Sequence, residues 1–191
     1  SFTVDTKADR SPITEADRRS NQVITEELSR AGPYPLLSEE GRSIPFSERR
    51  DWRHFWIVDP LDGTKEFVKR NGEFTINIAF MEETVPVLGV VYAPLPDLLY
   101  FAWQGGGSFK LEGFCKIAAK IPEDLVERAK RLPRREPFNF DETQKKQSIT
   151  VIGSRSHRGP CFAGYVGELR QRYAEKVEIR TSGSALKPCL V

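Results

Sequence analysis

Runs of apolar, β-branched and aromatic residues, separated by short polar stretches through the middle of the chain, predict a β-sheet. Two β-rich runs, residues 74–81 and 85–92, flank the polar residues 82–84, which predicts a hairpin. Residues 98–103 and 108–111 predict two further strands, and a run of glycines separates them. This succession indicates an antiparallel meander.

Helical periodicity occurs on both sides of this meander. Thr14 is a candidate N-cap with the acidic Asp17 three positions later, and the Gly-Pro pair at 32–33 ends the apolar periodicity. Residues 122–132 and 162–174 also predict helices. The polar, basic residues 41–53 predict a loop.

Short strands are predicted at residues 36–38, 55–58, 149–152 and 176–180. The early part of the chain therefore reads as α+β, whereas the part after residue 147 alternates β and α. We predict an N-terminal α+β domain at residues 1–147. The start of a C-terminal α/β domain follows at residues 148–191.

Composition narrows the class of protein. The 191 residues are 39% hydrophobic and include 12 Phe and 3 Trp, which indicates a folded core. A net charge of +2 is too balanced to indicate a nucleic-acid partner. No apolar stretch reaches the roughly 18 residues that a membrane span needs. Three widely spaced cysteines predict neither a disulfide framework nor a zinc site, so we expect a cytoplasmic protein.

The most informative motif is Asp-Pro-Leu-Asp-Gly-Thr at residues 59–64, directly after the apolar run 55–58. Two carboxylates at a strand end suit Mg²⁺, which prefers oxygen ligands. The backbone amides of residues 63–65 begin a predicted short helix and would suit a phosphate. The alternative is an ordinary turn, because Pro, Asp and Gly are common turn residues.

Acidic residues recur at the ends of predicted elements, namely Asp17, Glu39, Glu40, Asp59 and Asp62. Each alone is more often a solvated or capping carboxylate. Together with residues 63–64 they predict a metal–phosphate site. Glu39 and Asp59 would share one cation and Asp59 and Asp62 a second, so that two cations polarise a phosphoryl group.

Thr64 and Asp17 form a second candidate pair. A hydroxyl accepts a proton from water only if a carboxylate takes the hydroxyl's own proton, so this pair could orient and activate water. The alternative, equally supported by the bare sequence, is that Thr64 only caps the following turn.

Seven segments in order carry a resemblance to a known family: Pro-Ile-Thr-Glu-Ala-Asp (12–17), Leu-Ser-Glu-Glu (37–40), Trp-Ile-Val-Asp-Pro-Leu-Asp-Gly-Thr-Lys-Glu-Phe (56–67), Asn-Gly-Glu-Phe-Thr-Ile-Asn (71–77), Gly-Val-Val-Tyr-Ala-Pro (89–94), Ser-Arg-Ser-His (154–157) and Gly-Ser-Ala-Leu-Lys (183–187). The chain resembles the Mg²⁺-dependent, lithium-sensitive phosphatases of the inositol monophosphatase superfamily. It is most similar to the 3′(2′),5′-bisphosphate nucleotidase branch of CysQ type. The resemblance implies a layered α/β sugar-phosphatase sandwich, with the active site between an N-terminal α+β domain and an incomplete C-terminal α/β domain.

The resemblance also implies roles for individual residues. It implies metal ligands at Glu39, Asp59, Asp62 and the carbonyl of Leu61. It matches Asp17 and Thr64 to the water-activating pair, and Gly63 and Thr64 to the positions that hold the scissile phosphate. It implies contacts to the nucleotide and its second phosphate from Ser154, His157, Gly183 and Lys187. Without the resemblance, His157 would be interpreted as a loop histidine and Lys187 as a surface lysine.

The implied activity is removal of the 3′-phosphate from adenosine 3′,5′-bisphosphate, and from its sulfated precursor, to give AMP-type products in sulfur metabolism. Alternatives are an inositol monophosphatase or fructose-bisphosphatase of the same superfamily, or a catalytically weak nucleotide-binding homologue or dimerisation module. The expected partner is a small phosphorylated nucleotide, with Mg²⁺ as cofactor, and the expected assembly is a monomer or homodimer.

The chain departs from the family pattern at both ends. The family has a first helix upstream of Phe2, and one more aspartate ligand in a Trp-Asp-x-Ala-like segment beyond Lys187. Neither lies within these 191 residues. We therefore expect a fragment or truncated form, and weak activity for this exact polypeptide.

Overall fold

A computed structural model of the chain describes residues 4–6, 12–118, 121, 123–132, 149–155, 159–173 and 177–190. Strands β1 (Val4–Thr6) and β2 (Pro12–Thr14) pair antiparallel and lead into helix α1 (Glu15–Ala31). The predicted capping box is present at the start of α1: the Thr14 amide donates to Asp17 Oδ2 at 2.8 Å. Helix α1 ends at Gly32, as its sequence predicts.

A seven-stranded sheet is the largest element of the fold. Its strands follow chain order: β3 (Leu36–Ser38), β4 (His54–Asp62), β5 (Thr75–Glu82), β6 (Val85–Ala93), β7 (Leu98–Trp103), β8 (Gly107–Glu112) and β9 (Lys130–Leu132). Strands β3 and β4 run parallel, and every other neighbouring pair is antiparallel. The predicted meander is therefore confirmed for β5 to β8.

Short helices lie between the strands: α2 (Phe46–Arg49), α3 (Thr64–Val68), a 3₁₀ turn at Phe114–Lys116 and α4 (Leu125–Arg128). The predicted loop at 41–53 thus contains one helical turn. The predicted helix at 122–132 is wrong over its last part, because Lys130–Leu132 forms β9 and pairs with β8. The Arg131 guanidinium lies over the Phe109 ring, 5.7 Å from its centroid, so edge pairing and this contact override helix propensity.

A βαβ unit forms the C-terminal part. Strands β10 (Ile149–Ser154) and β11 (Val177–Ser182) pair in parallel, and helix α5 (Pro160–Tyr173) supplies the crossover that parallel neighbours require. Helix α6 (Leu186–Cys189) follows. A Cβ placed on Gly153 of β10 would lie 2.5 Å from the Phe162 ring, so glycine allows α5 to pack closely on this strand.

Helix α6 connects the βαβ unit to the large sheet. Leu186 is buried together with Ala93 of β6 and Tyr100 of β7. The predicted domain boundary at residue 147 lies within residues 133–148, outside the described residues, so the division into two domains stays a prediction. None of the helices in the described ranges has the length and apolar content needed to cross a bilayer.

Candidate functional site

The end of β4 carries the Asp-Pro-Leu-Asp motif on an irregular strand. Asp59 pairs with Asn77 and Asp62 pairs with Thr75, so three steps along β4 match two steps along β5. A β-bulge therefore adds one residue to β4. Side chains two apart on a strand share a face, so the bulge brings Asp59 and Asp62 to the same face of the sheet.

Glu39 reaches the same place from β3. Strands β3 and β4 are parallel neighbours, and the Glu39 amide donates to the Val58 carbonyl at 3.0 Å. Glu39 therefore follows the carboxyl end of β3 and lies beside the last part of β4, which carries Asp59. Their side chains are hydrogen-bonded to each other.

This grouping concentrates negative charge around Asp59. Burial, followed by repulsion from the Glu39 and Asp62 carboxylates, raises the pKa of Asp59 to about 7, although the Leu61 amide that donates to Asp59 Oδ1 at 3.2 Å acts in the opposite direction. A cation would relieve this repulsion.

The donor chemistry fits Mg²⁺. Among the described residues, no three His, Cys, Asp or Glu side chains form a ready-made metal cage. Mg²⁺ does not require one, because it usually binds one or two carboxylates together with water and substrate phosphate. Asn77 Oδ1, on the residue paired with Asp59, is buried without a hydrogen-bond partner and adds an oxygen donor to this neighbourhood.

The structure brings Thr64 and Asp17 together. Thr64 Oγ1 lies 3.2 Å from Asp17 Oδ1 and 3.4 Å from the Leu61 carbonyl, and either oxygen can accept its single proton. The other oxygen of Asp17 accepts from Thr14, from the amide at 2.8 Å and from Oγ1 at 2.5 Å. Asp17 is only 1% exposed, so these bonds fix its carboxylate. Its catalytic role stays a prediction.

Helix α1 lies against the motif and delivers Asp17 to it. Ser20 Oγ donates to the Pro60 carbonyl at 2.8 Å, and Ser38 Oγ donates to Asn21 Oδ1 at 2.6 Å. These bonds connect polar residues of one face of α1 to the ends of β4 and β3. The sequence predicts the helix, but its inner face carries polar residues toward the site as well as apolar residues.

Gly63 makes the sharp turn from β4 into α3. Its φ of 95° lies in the left-handed region that favours glycine. A Cβ there would lie 3.1 Å from the Glu73 carbonyl oxygen and 3.3 Å from Ser184 Cβ. The Phe67 amide donates to the Gly63 carbonyl at 2.9 Å, which begins the helix.

The C-terminal candidates lie at the ends of β10 and β11. Ser154 pairs with Ser182, and Gly183 follows directly. Lys187, in α6, donates from Nζ to the Ser184 carbonyl, so part of its hydrogen-bonding capacity is used by the preceding loop. His157 lies outside the described residues.

The loop at 183–185 touches the β4 motif. The Ala185 amide donates to Asp62 Oδ2 at 2.6 Å, and Thr75 Oγ1 donates to Ser184 Oγ at 3.2 Å. Gly183 and Lys187 therefore lie on either side of Ala185, the residue whose amide donates to Asp62. The substrate contacts predicted for Ser154, Gly183 and Lys187 stay predictions.

Sequence reasoning missed two residues of this region, Glu73 and Arg155. Arg155 Nε donates to Glu73 Oε2 at 2.6 Å, and the Gly183 amide donates to the same oxygen at 2.9 Å. Both residues occur in segments that support the family resemblance, but an acidic residue beside a glycine reads as an ordinary turn residue.

Comparisons with known proteins identify a family of similar sequences and structures. The sequence profile described as the inositol monophosphatase family matches residues 1–191. The 3′(2′),5′-bisphosphate nucleotidase CysQ of Aggregatibacter actinomycetemcomitans is 45% identical over 111 residues, which are 58% of this chain and 41% of that protein. The protein of the same name from Salmonella typhimurium is 38% identical over 186 residues, 97% of this chain and 64% of that protein.

Among solved structures, CysQ from Bacteroides thetaiotaomicron, a bacterial member of the inositol monophosphatase family, is 40% identical with a TM-score of 0.79. The match covers 97% of this chain and 65% of that one. It confirms the predicted fold class. The chain spans less than two thirds of the length of each of these relatives.

Proposed function

Because this chain belongs to the inositol monophosphatase family, we propose that the complete protein is a Mg²⁺-dependent phosphomonoesterase. Its substrate would be adenosine 3′,5′-bisphosphate, and also the sulfated precursor, from which it removes the 3′-phosphate. The observation that carries this proposal is at the end of β4, where Asp59 interacts with the Glu39 and Asp62 carboxylates and Thr64 is hydrogen-bonded to Asp17. The nucleotidase names of the relatives support the choice of substrate.

Glu39, Asp59, Asp62 and the Leu61 carbonyl would hold Mg²⁺. When bound, the ion would neutralise phosphate charge and favour ionisation of water. The burial and mutual repulsion that raise the pKa of Asp59 also make its carboxylate a strong ligand once a cation replaces the proton.

Thr64 and Asp17 would handle the proton of the attacking water. Thr64 Oγ1 donates to Asp17 Oδ1, which leaves its lone pairs to accept a hydrogen from water. As water attacks phosphorus, its proton would pass to Thr64 while the hydroxyl proton of Thr64 moves to Asp17. The bond between phosphorus and the ribose O3′ breaks at the same time, and the leaving O3′ takes a proton from solvent water to give the free hydroxyl. The amides at Gly63 and Thr64 would hold the scissile phosphate.

Ser154, His157, Gly183 and Lys187 would bind the nucleotide and its second phosphate. Lys187 is the charged member within the described residues, and it lies in α6, directly after the loop whose Ala185 amide donates to Asp62. A second phosphate would favour the nucleotide bisphosphate over inositol 1-phosphate, the substrate class of the alternative functions.

Competition between adenosine 3′,5′-bisphosphate and inositol 1-phosphate tests this choice in the complete protein. We expect the higher kcat/KM for the nucleotide. Lys187→Ala should reduce it far more for the bisphosphate than for a monophosphate, because removing one charge of a close pair typically costs several kcal/mol in binding. The matched control is Lys130→Ala, which removes a half-exposed lysine on β9. This variant should leave kcat/KM unchanged for both substrates.

A higher kcat/KM for inositol 1-phosphate, or equal losses for both substrates in Lys187→Ala, would favour an inositol monophosphatase instead. Absence of hydrolysis of either substrate would favour the catalytically weak nucleotide-binding homologue. For location we propose the cytoplasm, on the ground that Cys115, Cys161 and Cys189 are all free thiols.

A further inference from the structure

A carboxylate clamp connects the segment after α3 to both strands of the C-terminal unit. The Glu73 carboxylate accepts from Arg155 Nε at 2.6 Å on Oε2 and from Arg155 Nη2 on Oε1. The Gly183 amide adds a third donor, 2.9 Å from Oε2. Arg155 follows β10 and Gly183 follows β11, so the Glu73 side chain is hydrogen-bonded to residues at the ends of two parallel strands.

Both sides of the clamp are fixed locally. The Glu73 amide donates to Asn71 Oδ1 at 3.0 Å. The Arg155 amide donates to the Ser182 carbonyl at 3.3 Å. A Cβ on Gly183 would lie 2.7 Å from the Glu73 carbonyl oxygen, so the two backbones are in direct contact.

A contribution to folding stability does not by itself explain the Glu73–Arg155 ion pair. The Arg155 side chain is 47% exposed and that of Glu73 is 21% exposed. Ion pairs that are open to solvent contribute little to folding stability. The three converging donors instead fix the position of the segment that begins at Gly183.

That segment leads to the candidate metal site within two residues. The Ala185 amide donates to Asp62 Oδ2 at 2.6 Å, and Ser184 Oγ accepts from Thr75 Oγ1 at 3.2 Å. Thr75 is the strand partner of Asp62. Displacement of Gly183 would therefore move the donor that orients the Asp62 carboxylate.

We propose that Glu73 and Arg155 are positioning residues for the Asp62 carboxylate: they hold the 183–185 loop so that the Ala185 amide orients this ligand. Groups that hydrogen-bond a metal ligand fix its geometry and basicity, and losing one typically weakens metal binding or activity by about 10–100-fold. The inference rests on the proposed function for its catalytic consequence, whereas its effect on Mg²⁺ binding can be measured without substrate.

The test compares Glu73→Gln and Arg155→Ala with the wild-type complete protein. Mg²⁺ binding is measured by calorimetry in the absence of substrate, and the Mg²⁺ concentration for half-maximal hydrolysis is measured separately. We expect the Kd for Mg²⁺ and the half-maximal Mg²⁺ concentration each to rise by about tenfold or more in each variant, which is the usual effect of losing a hydrogen bond to a metal ligand. Arg155→Lys, which keeps the charge and one donor, should restore part of the affinity.

The matched control is Arg128→Ala. Arg128 Nε also bonds both oxygens of a carboxylate, at 2.9 Å each on Asp124, but the pair lies within α4 and its cap. We expect unchanged Mg²⁺ affinity in this variant. The Glu73→Gln/Arg155→Ala double variant should be little worse than either single variant, because the two residues act as one unit.

Wild-type Mg²⁺ affinity in folded Glu73→Gln and Arg155→Ala, even with a lowered Tm, would overturn the proposal and leave the clamp a purely structural role. If Glu73→Gln does not fold, Arg155→Ala and Arg155→Lys decide the question by the same comparison. If the wild-type protein binds Mg²⁺ but hydrolyses neither phosphate substrate, the proposed function fails while the Mg²⁺ comparison still decides the positioning role.

Discussion

Asp17 uses its two carboxylate oxygens for different purposes. Oδ2 accepts the amide and hydroxyl of Thr14 and so caps α1, while Oδ1 lies 3.2 Å from the Thr64 hydroxyl. The cap fixes the carboxylate, and the fixed carboxylate in turn orients the hydroxyl. The start of α1 therefore contributes the Asp17 carboxylate to the candidate site directly, in addition to holding it in place.

Substitution of either member of this pair should lower catalysis. We expect Asp17→Asn and Thr64→Ala each to reduce kcat by roughly 10²–10⁴, the range for a positioned general base. The double variant should be little worse than either single variant, because groups that act as one unit are not additive. Steady-state kinetics on the complete protein measure this, and multiplicative losses would show that the residues act separately.

Gly63 should be sensitive to the smallest substitution. Gly63→Ala forces an L-residue to φ 95° and places its Cβ 3.1 Å from the Glu73 carbonyl oxygen, so we expect a loss of about 1–3 kcal/mol in the free energy of unfolding. The control is Gly164→Ala within α5, where an added Cβ has no neighbour within 4 Å. This variant should raise the free energy of unfolding by roughly 0.5–1 kcal/mol, because alanine favours the helix over glycine. Denaturant unfolding measures both, and equal effects would contradict the strain at Gly63.

Strand β4 shows what the sequence could and could not predict. The apolar run 55–58 predicts the buried strand, but β4 continues to Asp62 and includes Pro60. Proline usually ends a strand, and it is accommodated here because the register shifts between Asp59 and Asp62. The motif residues were therefore identified, while the bulge that turns both carboxylates to one face was not.

The clamp was missed for a different reason. Glu73 lies 82 residues before Arg155 and 110 residues before Gly183. No local pattern connects residues so far apart, and a single acidic residue in a turn is normally solvated. Local propensity likewise could not predict β9, because its pairing depends on a strand, β8, that is distant along the chain: Lys130 pairs with Lys110.

The clamp should make part of the stability depend on pH. Arg155, by its hydrogen bonds, lowers the pKa of Glu73, opposed by partial burial and aided by the Gly183 amide and the Lys187 charge. A lowered folded-state pKa gives stability that is present above the ordinary glutamate pKa and lost as pH falls through the folded value. The Tm difference between wild type and Glu73→Gln should therefore be largest near neutral pH and shrink in acid. A constant difference across this range would contradict the linkage.

At the scale of the whole molecule, the site joins two parts of the chain. The seven-stranded sheet supplies the carboxylates at the ends of β3 and β4, and the βαβ unit supplies the loop that binds Asp62. Leu186 of α6, buried with Ala93 and Tyr100, holds that unit against the sheet. The family resemblance predicts an active site between two domains, which stays a prediction; the contacts show that these two parts of the chain meet beside the end of β4.

The central claim is that the carboxylate cluster at the end of β4 is the hydrolytic centre. Asp59 is its shared member, since both Glu39 and Asp62 interact with it. Asp59→Asn keeps the size of the side chain and removes its charge. Because Asp59 is partly buried between two other carboxylates, this change relieves repulsion and should leave the protein folded.

The most direct measurement is therefore Mg²⁺-dependent release of phosphate from adenosine 3′,5′-bisphosphate by the complete protein and its Asp59→Asn variant, with circular dichroism as the check on folding. We expect activity in the wild type and none above background in the folded variant. Comparable Mg²⁺-dependent turnover in both proteins would contradict the assignment of this cluster as the catalytic centre.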